Sequence, residues 1–121
     1  MILLDTNVFI YLANGTLDPK LIAKTDIAHS SITEIEALGY GAIPANELLL
    51  LQSLFDESYG IELSQPVVET AIRLRQAKPM SLGDAIVAAS AQVNNLPLWT
   101  ANTDDFRHIE GLQLVNPLKL S

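Results

Sequence analysis

The run Met1-Ile2-Leu3-Leu4 is apolar and stops on a carboxylate, Asp5, after which the chain passes directly into Thr6-Asn7-Val8-Phe9-Ile10-Tyr11-Leu12. A short buried strand that delivers an acid at its C-terminal tip, where a helix begins, is how open α/β sheets build their sites. Asp5 is therefore expected at the mouth of a crevice. The same residue is also a good N-cap for the helix that follows, so a purely structural reading stays open on this evidence alone.

The rest of the chain repeats that pattern. Residues 2–4 read as a strand and 7–13 as a helix closed by Asn14-Gly15. A second helix is predicted from Asp18 to about Lys24 with Pro19 at its first position. Ile27-Ala28-His29-Ser30 is the next strand, and Ser31 or Thr33 caps a helix carrying Glu34, Glu36, Leu38 and Tyr40. Residues 44–55 form a helix with one very apolar face, and Gly60-Ile61-Glu62-Leu63 alternates as a strand. Helices follow from Pro66 to about Ala77 and from Leu82 to Asn94, then a strand over 96–99, a helical turn over 104–108 and a strand over 112–115. Strands separated by helical stretches predict an α/β fold with a mostly parallel central sheet.

At 121 residues the chain has the length of one domain, 1–121. Its hydrophobic fraction of 49% suits a sheet covered on both faces or an apolar patch for a partner, and self-association is expected. The longest apolar stretch is too short for a membrane span and Met1 opens a core strand, so a cytoplasmic protein without membrane contact is expected. There is no Cys, which leaves His29 and His108 as the only imidazoles; they lack ligand spacing and read as structural or surface residues. Any metal must then be held by oxygen, which favours Mg2+ or Mn2+. The net charge of -7 opposes nonspecific nucleic-acid binding. A local basic cluster does exist in Arg73, Arg75 and Lys78, just ahead of Asp84, with a solvated helix face as its plain alternative.

Acids recur in one setting, at strand ends or in the helices that follow: Asp5, Glu36, Asp84 and the pair Asp104-Asp105. Asp84 is the most telling, because Ser81-Leu82-Gly83-Asp84-Ala85-Ile86-Val87-Ala88-Ala89 surrounds it with small and apolar residues. Converging carboxylates about 4 Å apart repel by about 4 kcal/mol at an effective dielectric of about 20. Bound divalent cations relieve that repulsion, and a pair of them about 4 Å apart can clamp a phosphodiester for hydrolysis. Convergence is inferred from topology; scattered caps and surface acids are the alternative. No Gly-rich phosphate loop, Gly-x-Ser-x-Gly elbow or Cys nucleophile points elsewhere.

Four segments, Leu3-Leu4-Asp5-Thr6-Asn7-Val8, Ser31-Ile32-Thr33-Glu34-Ile35-Glu36, Leu82-Gly83-Asp84-Ala85-Ile86-Val87-Ala88 and Leu98-Trp99-Thr100-Ala101-Asn102-Thr103-Asp104-Asp105-Phe106, resemble in order and spacing the motifs of PIN-domain ribonucleases, above all the VapC-type toxins of bacterial toxin–antitoxin modules. The resemblance implies a PIN-like three-layer α/β/α fold and Mg2+- or Mn2+-dependent endonucleolytic cleavage of RNA. It maps the metal-binding acids onto Asp5, Glu36, Asp84 and Asp105. Glu36 is preferred to Glu34 because the family's acid falls three residues after the Thr, here Thr33. Asp105 is preferred to Asp104 because the family's acid directly precedes Phe, here Phe106. Thr6, Asn7, Thr100 and Asn102 match polar positions near the site, with helix capping as the alternative for Thr6 and Asn7. A homodimer and a cognate antitoxin are implied as well, with residues 8–12 and 44–55 as candidate surfaces for both. The strong negative charge departs from what RNA binding favours, which leaves Arg73, Arg75, Lys78 and Arg107 to meet the substrate.

Two other classes compete. One is a catalytically silent PIN-fold module that only binds protein, against which the intact set of acids argues. The other is a phosphatase or receiver-like pocket with Asp5 as nucleophile, but Asn7 stands where its second Asp would be.

Overall fold

In the computed structural model, which describes residues 1–120, five strands form one all-parallel sheet in the order β3-β2-β1-β4-β5. They are β1 (Ile2–Leu4), β2 (Ile27–Ser30), β3 (Tyr59–Ile61), β4 (Leu98–Trp99) and β5 (Leu114–Val115), and β1 lies at the centre. The helices are α1 (Thr6–Asn14), α2 (Ser31–Leu38), α3 (Ala45–Glu57), α4 (Gln65–Ala77) and α5 (Leu82–Asn94). Among the described residues no helix is long and apolar enough to cross a membrane.

The strand order explains the layers. The chain builds from β1 outward to β3, then returns to lay β4 and β5 on the other side of β1. Right-handed crossovers that travel in opposite directions put their helices on opposite faces, which yields a three-layer α/β/α arrangement. On one face β1 packs with α1 and α3 through Leu4, Val8, Phe9, Leu12, Leu51 and Phe55. On the other, Leu3, Ala28 and Leu98 meet the small-residue face of α5, and α4 covers α5 through Val67 and Ala71. The reversal of strand order falls between β1 and β4, where open sheets place their crevice.

Several local expectations shift. The 18–24 helix is a shorter 3-10 turn, Pro19–Ile22, held by the Asp18 side chain accepting from Lys20 N–H. The N-cap of α2 is Ser30 rather than Ser31 or Thr33, because β2 runs into the helix with no loop and the cap falls on the last strand residue. Tyr40 lies beyond α2, and β3 starts one residue earlier than its alternation suggested and ends at Ile61. Leu96 and Leu112 lie outside the short strands β4 and β5, and Pro97 contributes only its carbonyl, which accepts from Leu3 N–H. Of residues 8–12, Val8, Phe9 and Leu12 are core, and Ile10 alone reaches the exposed range. Helix α3 does not confine its leucines to one face: Leu51 is buried, whereas Leu49 and Leu50 are exposed.

His29 is a core residue. Its ring packs edge-on against Phe9 and Phe55, with Nδ1 2.7 Å from Ser58 Oγ and Nε2 paired with Glu34. His108 is exposed.

Phe106 is fully buried against the α5 face and closes the turn that carries Asp105. Phe106→Ala should cost about 3–5 kcal/mol in urea unfolding, the usual penalty for an emptied aromatic site. A loss below about 1 kcal/mol, as at a surface position, would mean that the turn is not anchored in this core.

Candidate functional site

The site grows from the C-terminal tip of β1. The Asp5 N–H donates to Trp99 O at 2.9 Å, which continues the β1–β4 ladder to the strand end. There its side chain turns under α1: Oδ1 accepts from Thr6 N–H at 2.8 Å and Oδ2 from the Thr100 hydroxyl at 2.8 Å. Asp5 thus caps α1, with Thr100 at the end of β4 holding its other oxygen. Thr100, buried at the end of β4, also accepts from Asn102 N–H at 3.0 Å, and Asn7 Oδ1 accepts from Ala101 N–H at 3.3 Å. Asn7 therefore braces the β4 loop against α1, while Asn102 acts through its backbone N–H alone and its exposed side chain has no role in that bond. Since Asp5 is the cap, Thr6 and Asn7 are released from that role.

The two glutamates of α2 part company. Glu34 pairs with the buried His29. Glu36 accepts at Oε1 from the Thr6 hydroxyl at 2.8 Å, so the first turn of α1 holds it toward Asp5. The same division separates the aspartates after β4: Asp104 forms an ion pair with Arg107, while Asp105 bears on Asp84 electrostatically. Asp84 sits in the first turn of α5, with its N–H donating to the Ser81 side chain at 3.1 Å.

Charge binds these residues into one group. Desolvation by burial, with smaller contributions from the charges of Asp84 and Glu36, pushes the Asp5 carboxyl up to about 6 against hydrogen bonds from Thr100 and Thr6. Desolvation also raises Asp84, and Asp105 and Glu36 add to the effect while Ser81 opposes it. A cluster of this kind stores repulsion that a cation would discharge.

The donor set is all carboxylate oxygen and suits a hard divalent ion. As the side chains lie, no group of three or more acids or imidazoles among the described residues is close enough to hold one ion together. Magnesium needs fewer direct protein ligands than that, because it keeps several waters and commonly takes one or two carboxylates. On that basis the residues fit.

The basic residues stand apart from this network. Arg73 donates to Thr70 Oγ1, Arg75 to Met80 O, and Arg107 to Thr103 Oγ1 besides pairing with Asp104; Lys78 is the exposed C-cap of α4. Among the described residues no ion pair joins them to Asp5, Glu36, Asp84 or Asp105. Sequence reading missed Ser30 and Thr33, both buried, whose hydroxyls lie 3.4 Å apart, with that of Thr33 3.2 Å from Thr6 Oγ1. The signal for them was the hydroxyl-rich stretch Ser30-Ser31-Ile32-Thr33, which reads as ordinary capping.

The raised Asp5 pKa fixes a pH dependence. Folded protein holds the Asp5 proton to higher pH than unfolded protein, so stability falls as pH rises from 3.8 to about 6 and stays lower above that. The full loss is on the order of 2–3 kcal/mol. Urea unfolding in EDTA should show wild type losing stability relative to Asp5→Asn across that window. A difference between the two proteins that does not change with pH, or that moves in favour of wild type, contradicts the assignment.

Residues 2–112 match the family model described as the PIN domain. Among solved structures, a chain of a toxin–antitoxin complex from Klebsiella pneumoniae is 31% identical with a TM-score of 0.76, over 97% of this chain and 98% of that one. VapBC2 from Rickettsia felis, solved bound to a DNA fragment from its promoter, contains a chain 26% identical with a TM-score of 0.79, over 96% and 98%. VapBC-1 from nontypeable Haemophilus influenzae shares the fold at 24% identity and a TM-score of 0.77, over 97% and 98%. No curated protein matches the sequence significantly. With a five-stranded parallel sheet and a family match over nearly its whole length, the chain belongs to the PIN-domain family.

Proposed function

We propose that residues 1–121 act as a single PIN-like domain, a Mg2+- or Mn2+-dependent endoribonuclease that serves in the cytoplasm as the toxin of a type II toxin–antitoxin module. The observation that carries this reading is the charge-coupled group at the strand tips: Asp5, buried and raised to about 6, bears the charges of Glu36 and Asp84, and Asp84 in turn that of Asp105.

Asp5, Glu36, Asp84 and Asp105 are the residues that would hold the ion. When bound, it supplies Lewis acidity toward the scissile phosphate. The chain itself supplies orientation. Thr6 N–H and the Thr100 hydroxyl each take one lone pair of the Asp5 carboxylate and so fix its orientation. Thr6 restrains Glu36 Oε1. Asn7 keeps the loop after β4 close to α1, and the backbone N–H of Asn102 steadies the Thr100 hydroxyl that donates to Asp5. Asp84, half-buried in the first turn of α5, has its carboxyl held above the ordinary carboxylate range by desolvation and by the charges of Asp105 and Glu36. Arg73, Arg75, Lys78 and Arg107 are assigned to the RNA phosphates.

The solved relatives named above include toxin–antitoxin complexes, which supports a cognate antitoxin here. A groove of about 330 Å³ runs between Ile10, Ala13, Tyr40, Ile43 and Leu51, with Glu36 and Glu47 among its walls. That combination suits an amphipathic segment carrying basic residues. A homodimer has apolar surface to cover on the opposite layer, where Leu63, Ile72 and Leu82 are each about half exposed along a groove of about 400 Å³ beside Arg75.

The full chain with Mn2+ should cut single-stranded RNA, the form whose unstacked bases a crevice can reach. Asp5→Asn, folded by circular dichroism, should lose about a hundredfold or more of that rate, the scale of removing a group that the transition state depends on. Cleavage that survives EDTA, or that runs at full rate in Asp5→Asn, contradicts the reading. Uptake of Mn2+ without any RNA cleavage would favour the silent binding module.

A further inference from the structure

We propose that Gly83 is a positioning residue, whose missing side chain lets the Glu36 carboxylate lie against the first turn of α5, beside Asp84. This rests on the metal-site reading above. A Cβ built on Gly83 would stand 2.8 Å from Glu36 Oε2, 3.3 Å from Cδ and 3.4 Å from Oε1. Those distances are too short for a methyl group, so any larger residue at 83 must displace the carboxylate.

A glutamate is flexible and would ordinarily step aside at little cost. Here the step is opposed. Glu36 Oε1 already accepts from the Thr6 hydroxyl at 2.8 Å. Thr6 Oγ1 is the donor toward both Glu36 and Thr33, the latter 3.2 Å away, and its one proton favours the charged acceptor. Ser30, 3.4 Å from Thr33, extends the row. Ser30 and Thr33 are buried, so these hydroxyls cannot turn to water for replacement partners. Glu36 itself is exposed, and its carboxylate lies between the Thr6 hydroxyl on α1 and bare backbone on α5. A shift of Oε2 away from Gly83 pulls on the bond that Oε1 makes to Thr6.

Nothing else about position 83 calls for glycine. It lies inside a helix, where Gly is less favourable than Ala, and it has no positive φ. Gly83→Ala should thus leave the ion-free protein as stable as wild type or raise its melting temperature, while moving Glu36 out of place. Stability and metal affinity are expected to change in opposite directions, which a general packing defect would not produce.

The test is isothermal titration of MnCl2 into ion-free full-length wild type, Gly83→Ala, Glu36→Ala and the double variant, with melting curves of each in EDTA. Gly83→Ala should weaken Mn2+ binding by about tenfold or more, the range seen when groups that orient metal ligands are removed. In the Glu36→Ala background the same substitution should change the affinity by less than about twofold, because a residue that acts through Glu36 has nothing left to act on. A Gly83→Ala protein within about twofold of wild type overturns the inference alone. So does an equal loss in both backgrounds, or a lower melting temperature that accounts for the weaker binding. Wild type that takes up no Mn2+ overturns the metal-site reading and this inference with it.

Discussion

Thr100 donates to Asp5 across 95 positions of sequence, and the arrangement of the molecule follows from that contact. The two residues end neighbouring strands that were laid down at opposite ends of the chain. A carboxylate at this depth is tolerated because both oxygens have donors, Thr6 N–H on one and the Thr100 hydroxyl on the other. Burial still leaves it hard to ionise, and the charges of Asp84 and Glu36 make it harder. Asp5 and Asp84 are both held above the ordinary carboxylate range, so ionising them in the folded protein costs stability.

The neighbouring acids are sorted by their partners. Each ambiguous pair contains one carboxylate already engaged by another side chain: Glu34 by the ring of the buried His29 and Asp104 by Arg107 on the surface. Glu36 and Asp105 form no ion pair among the described residues, and both add to the charge felt at Asp84. The direct junction of β2 with α2 makes this sorting possible. Without a loop, the helix starts at a fixed rotation, so Glu34 reaches back to the strand and Glu36, two residues on, faces α1.

Much of this was legible in the chain. The apolar run into Asp5, the small-residue helix around Asp84 and the order of the motifs led to the parallel sheet and the family. Strands β4 and β5 were overdrawn, because Leu96 and Leu112 have strand-like composition while each strand keeps only two residues. Residues 8–12 looked like a partner surface because their apolar density was plain but the direction it faced was not; most of it fills the core. Asp104 and Asp105 differ in the pairing each makes, which adjacent letters do not reveal. Gly83 was passed over because a glycine at a helix start reads as local geometry, and its role depends on a glutamate 47 positions earlier. The basic cluster ahead of Asp84 was placed on α4 and the turn after it, where it does lie, yet its contacts run to Thr70 and Met80.

Under the function proposed above, repulsion among Asp5, Glu36, Asp84 and Asp105 is relieved by a bound divalent cation. Anomalous diffraction from crystals of the full chain grown with MnCl2, recorded at the manganese edge, tests it most directly. The account predicts a peak at coordination distance, about 2.1–2.3 Å, from an oxygen of Asp5 or Asp84, with Glu36 and Asp105 reached directly or through one water. An ordered crevice with no peak, or a peak only at surface acids such as Asp56 or Glu57, would contradict it.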